Sequence, residues 1–171
     1  MQFLVAGDGA PVGKYGNFVN LSVSFVDETT PARRRPQLIG ISSTGETYET
    51  LKENMTTINA EIEALQSEGL EIDGLNTKFT FYLGADYKFI LLVCDMQAAN
   101  SNHACVFCDS KKCQYYKPGK ARPGLSPDQP GVSRENLLPA IPLHRIVIDE
   151  LHIYLFIYSS YHQRAIAPTD R

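Results

Sequence analysis

The chain lacks any apolar run approaching the roughly twenty residues that a membrane-crossing helix requires. Its start, Met1-Gln2-Phe3, has neither the basic segment nor the cleavage site of a secretory leader. These absences predict an intracellular protein with no membrane partner. Excess positive charge is missing as well: 16 Lys and Arg against 19 Asp and Glu leave a formal net charge of −3. That excludes the global basic field of a strong nucleic-acid binder, so any grip on DNA has to come from local patches. No internal repeat is present. Cysteine is absent from most of the chain, all four residues, Cys94, Cys105, Cys108 and Cys113, falling in one stretch. In a reducing compartment such clustering favours a metal or a buried thiol over a disulfide framework. What the chain does have is 171 residues with 43% hydrophobic content, enough for one ordinary domain with a real core and too much for a disordered or fibrous protein.

The hydrophobic pattern predicts an order of elements. Gln2 to Ala6 reads as a strand running into a tight turn at Gly7-Asp8-Gly9, which puts Asp8 at a strand end. Val19, Leu21, Val23 and Phe25 alternate with Asn20, Ser22 and Ser24 as a second strand with one covered face. Gln37 to Ile41 reads as a third, and three strands in succession predict an antiparallel meander. Tyr48, Leu51, Met55, Ile58, Ile62 and Leu65 then recur at steps of three and four, marking one face of a helix of about five turns. Gly69 ends it. Phe79, Phe81 and Leu83 form a fourth strand that stops at Gly84-Ala85-Asp86, and Tyr87 to Cys94 predicts a second helix.

Three strands, a crossover helix, a strand and a helix is the order of the ribonuclease-H-like α/β fold, a mixed sheet in which a right-handed crossover returns the fourth strand beside the first. Pro and Gly crowd residues 117 to 133, which predicts a loop. Ile146-Val147-Ile148 leads into Asp149-Glu150-Leu151-His152 and an apolar, aromatic stretch through Tyr158, expected to be a buried helix. The resulting division is a partial core over 1–96, a knuckle and loop over 97–135, and a C-terminal helix with a divergent tail over 136–171.

Two carboxylates stand out. Two-metal phosphodiester chemistry needs acids that let both ions touch the scissile phosphate, and hard oxygen ligands suit Mg²⁺ or Mn²⁺. Asp8 and Asp86 meet that need on topology, being far apart in sequence yet expected on adjacent strands. The plainer reading is that each is a turn residue, since Asp beside Gly is common at strand ends.

Gly7-Asp8-Gly9 ahead of an alternating strand, then Leu83-Gly84-Ala85-Asp86-Tyr87-Lys88-Phe89, then the run from Ala99 to Cys108, then Val147-Ile148-Asp149-Glu150-Leu151-His152 occur in that order. Together they resemble the transposase-like proteins of animal mobile elements and, more distantly, the DDE-type catalytic core of the V(D)J recombinase and the Transib transposases. The resemblance runs to about Tyr158. It implies that Asp8 and Asp86 are the first two members of an acidic metal-binding triad, that Cys105 and Cys108 contribute to zinc, that DNA is the partner, and that a functional chain is nuclear. It also implies a third acid, a Glu on a late helix, and late histidines for zinc. Neither appears before Arg171, so the expectation is a truncated core, inactive as it stands and weak on DNA. Glu150 is the available substitute for the third acid, although Asp149 and Glu150 also suit a helix start.

Cys105-x-x-Cys108 is a tight turn whose two thiolates can reach one tetrahedral Zn²⁺, a site that takes four ligands. Cys113, His103, His144 and His152 are the available partners. The competing possibility is two reduced, unligated thiols. Lys111, Lys112, Lys117, Lys120 and Arg122, with Tyr115 and Tyr116 among them, make a basic stretch suited to a phosphate backbone, or simply a solvated loop; Arg33 to Arg35 reads the same way. The alternative to an enzyme remnant is thus a zinc-knuckle binding module or a domesticated scaffold without catalysis.

Overall fold

The computed structural model describes residues 1–11, 17–26, 35–43, 45–111 and 119–149. Strands β1 (Gln2–Pro11), β2 (Asn17–Phe25) and β3 (Gln37–Ser42) lead into helix α1 (Tyr48–Ser67). A small hairpin follows, β4 (Leu70–Ile72) and β5 (Leu75–Thr77), then β6 (Thr80–Ala85), helix α2 (Tyr87–Val93) and, after a long irregular stretch, β7 (Ile146–Ile148). The main sheet has five strands in the order β3-β2-β1-β6-β7. β1 with β2 and β2 with β3 are antiparallel, whereas β1 with β6 and β6 with β7 are parallel. The fold is therefore α/β around a mixed sheet, with the expected meander and with β6 returned beside β1.

Period-two alternation decides which side of β1 faces the core. Val5 and Gly7 are buried beneath the helices, while Leu4, Ala6 and Asp8 line a cleft on the other side. Helix α1 begins where Thr47 and Thr50 cap one another reciprocally. Its stripe of Tyr48, Leu51, Met55 and Ile62 is buried against the sheet; each such side chain contributes on the order of 2 kcal/mol by leaving water. The chain leaves the helix through Gly69 at φ +81, a conformation that favours glycine.

The first strand differs from its expected bounds. It continues through Gly7-Asp8-Gly9, pairing Asp8 with Asn20 of β2, instead of turning there. A tertiary reason exists for both glycines. A Cβ at Gly7 would collide with the Phe89 ring, and one at Gly9 would lie 2.8 Å from the carboxylate carbon of Glu46. Those glycines make room for neighbours. The hairpin β4–β5 was also not expected; it turns on Asp73 and Gly74, both at positive φ.

Beyond α2 the described residues have little regular structure, yet Val106, Val132, Leu137, Leu138, Ile141 and Ile146 belong to the same buried cluster as the sheet and helices. One latch fastens it. The Arg134 guanidinium lies 3.5 Å from the centre of the Tyr48 ring, bonds both oxygens of buried Asp95 at 3.0 to 3.2 Å, and pairs with Glu49. Arg122 corrects a sequence expectation. It is 9% exposed, and its guanidinium donates to the carbonyls of Cys105, Cys108 and Pro130 and to Gln129 Oε1. Its hydrogen-bonding groups thus close the knuckle and are not presented to a phosphate backbone. Among the described residues no helix is long and apolar enough to cross a membrane.

Candidate functional site

The parallel register of β1 and β6 ends at Val5 with Leu83, and that of β6 and β7 ends at Ala85 with Ile148. Counting onward along each pair brings Asp8 level with Asp86, and Asp86 level with Asp149. Neighbouring strands lie about 4.8 Å apart, so three acids from three adjacent strands meet at one end of the sheet. They share a cleft of about 580 Å³, lined also by Ala6, Asn20, Ser22, Gly84 and Val147.

Each acid is held differently. Asp8 is fixed by the β1–β2 ladder, between the two glycines that admit the Phe89 ring and the Glu46 carboxylate. Asp86 is the N-cap of α2, its Oδ1 accepting the Phe89 N–H at 2.6 Å. That bond orients the carboxylate and uses one oxygen of two. Asp149 follows β7 directly and is exposed at the mouth of the cleft.

A fourth acid, Glu46, lies against Gly9 on the opposite face of β1 from Asp8. Its side chain is only 10% exposed and forms an ion pair with Lys88, which is 74% exposed. The hydrogen bond to Glu46 raises the Lys88 ammonium above the ordinary lysine range; the charges of Glu46, Asp86 and Asp8 add to that, against a smaller opposing effect of burial. Lys88 therefore stays protonated in the field of three carboxylates.

Sequence reasoning named Asp8 and Asp86, and the fold brings them together. It missed Asp149 as a site residue by treating it as a helix start, although an acid straight after an apolar strand is the same signal that singled out Asp86. Glu46 carried no signal, because it lies in an irregular connection before α1. Glu150, Cys113, His152, Lys112, Lys117, Tyr115, Tyr116, Arg33, Arg34 and the apolar stretch 151–158 lie outside the described residues.

The donor set at the cleft is the hard-oxygen kind that Mg²⁺ or Mn²⁺ takes. Among the described residues, however, no three His, Cys, Asp or Glu side chains are already arranged to hold a metal ion. The acids share a cleft and a level, and rotation of their side chains would have to complete any site.

The second expected centre is less complete. Cys105 and Cys108 face each other across a turn, sulfur to sulfur at 3.2 Å. Burial pushes the Cys105 thiol up. Burial would raise Cys108 as well, but hydrogen bonds from Ser110 and the nearby Arg122 charge hold it below its usual value. His144 sits exposed on a short 3-10 turn, Leu143–Arg145, and neither it nor His103 joins the pair as a third ligand. Four ligands are needed for structural zinc; the described residues supply two.

No protein-family model matches the chain, and no curated protein matches it.

Cys94 belongs to the core. It is 1% exposed, and burial pushes its thiol up from 9.0 to about 12. The folded chain thus keeps a proton that the unfolded chain releases, so this contribution to stability is complete below pH 9 and declines as pH rises toward 12. Urea midpoints measured from pH 8 to 11 are expected to fall more steeply for the native chain than for Cys94→Ala; parallel curves would contradict the assignment.

Proposed function

We propose that the chain carries the catalytic core of a transposon-derived DNA strand transferase or nuclease of the ribonuclease-H type, with Asp8, Asp86 and Asp149 as its carboxylates. The observation that carries this reading is the convergence at one cleft of three acids, one on β1 and one just past the end of each of the next two strands. The sheet order supports it, three antiparallel strands followed by two parallel ones with a helix in each crossover region.

Divalent Mg²⁺ or Mn²⁺, when bound, would supply Lewis-acid stabilisation of the phosphate and activation of the attacking oxygen. The chain's own groups set the conditions for that. Asp8 is carried on the β1–β2 ladder and Asp86 is oriented by the backbone of α2, so what remains to complete a site is rotation of side chains on a fixed backbone. Lys111 and Lys120 remain as cations for a DNA backbone.

A second reading, a binding module built on the Cys105–Cys108 turn without catalysis, is favoured by the closeness of those two sulfurs. One experiment separates the two. Mn²⁺ binding to the full chain, followed by electron paramagnetic resonance, is expected to be lost in Asp8→Asn and in Asp149→Asn and unchanged in Asp128→Asn. If the native chain takes up no Mn²⁺, or if the first two variants bind it as the native chain does, the carboxylate reading fails and the binding-module reading stands.

A further inference from the structure

The two sulfurs of the knuckle stand at a separation between that of a zinc-bound thiolate pair and that of a disulfide. A tetrahedral ion with Zn–S bonds of about 2.3 Å holds two thiolates about 3.8 Å apart, whereas Cys108 Sγ is 3.2 Å from Cys105 Sγ. No third metal ligand joins them among the described residues. A disulfide, by contrast, requires the sulfurs to approach to about 2.05 Å, a closure of about 1 Å within a single turn. The turn is already held in a closed shape. Arg122 Nε donates to the carbonyl of Cys105 at 3.3 Å and to that of Cys108 at 3.1 Å, and the Cys108–Ala121 bridge fixes the outgoing strand. Both cysteines are partly exposed, whereas Cys94 is sealed in the core.

We propose that Cys105 and Cys108 are a reversible dithiol, a modification site for small-molecule disulfides such as oxidised glutathione. One cysteine thiolate attacks a sulfur of the oxidant, forming a mixed disulfide and expelling one glutathione thiolate. The second cysteine thiolate then attacks the protein-borne sulfur, forming the Cys105–Cys108 bond and expelling the other glutathione. Two protein thiols lose two electrons and two protons, and one glutathione disulfide becomes two glutathione thiols. A reducing thiol reverses both steps. Closure also removes both sulfurs from the ligands available to a metal.

The test uses the full chain, purified reduced, treated with chelator, and equilibrated in glutathione buffers from reducing to oxidising. After acid quench and alkylation, peptide mapping is expected to find a Cys105–Cys108 link that forms in one transition, with Cys94 still a free thiol once the protein is unfolded. Cys105→Ser and Cys108→Ser are each expected to stop at the mixed disulfide. The proposal is overturned if the native pair stays reduced at the oxidising end, if the link runs to Cys113, or if zinc that resists the chelator keeps both thiols reduced.

Discussion

Phe89→Ala lowers the stability of the chain by about 4 kcal/mol, the usual cost of emptying a fully buried phenyl site. Phe89 is entirely buried, its ring lies over Gly7 on β1, and its N–H is the one capped by Asp86. One side chain therefore fastens α2 to the strand that carries Asp8. Domains of this size are commonly stable by about 5 to 15 kcal/mol, so the loss would take a large share of the total. Urea unfolding should show the lower midpoint with an unchanged slope. Gly7→Ala approaches the same contact from the other side and should cost about 1 to 3 kcal/mol by overpacking. Placed in a Phe89→Leu background it should cost less, because the atoms it strikes are gone. A Phe89→Ala variant within 1 kcal/mol of the native chain would show that the ring does not hold α2 on the sheet.

Asp86→Asn and Asp86→Ala should divide the two roles of that residue. Asparagine caps a helix about as well as aspartate, so Asp86→Asn is expected to remain within about 0.5 kcal/mol of native stability, and Asp86→Ala to lose about 1 kcal/mol. Affinity for Mn²⁺ should fall in both, and by more than the roughly 100-fold that loss of an outer-shell partner costs. Thermal or urea unfolding reads the first quantity and metal titration the second. Full metal affinity in Asp86→Asn would leave Asp86 a helix cap and nothing more.

The elements that were legible in the sequence are those whose pattern is local. The alternation through Val19 to Phe25 and the stripe from Tyr48 to Leu65 repeat with the period of a strand and of a helix, and the structure has both. Asp86 was legible because a strand, an acid and a helix follow one another directly. Gly7-Asp8-Gly9 misled, since paired glycines are common turn signals and nothing nearby announces Phe89 or Glu46. Asp73-Gly74 is a local hairpin signal, and β4–β5 turns on it. Asp149 depended on the register of β7 against β6, and Arg122 on three carbonyls gathered from two loop segments; neither arrangement has a local signature.

The placement of β1 at the middle of the sheet has a consequence for how the molecule comes into being. Its antiparallel neighbour β2 is close by in sequence, but on the other side the Met1 amino group waits for the carbonyl of Lys78, 77 positions on. During synthesis the first acid is thus exposed on an unfinished edge long before the second leaves the ribosome, and the third follows only with β7. Contacts of such long range make for slow folding, and they mean that the three acids come together only once β7 has joined the sheet.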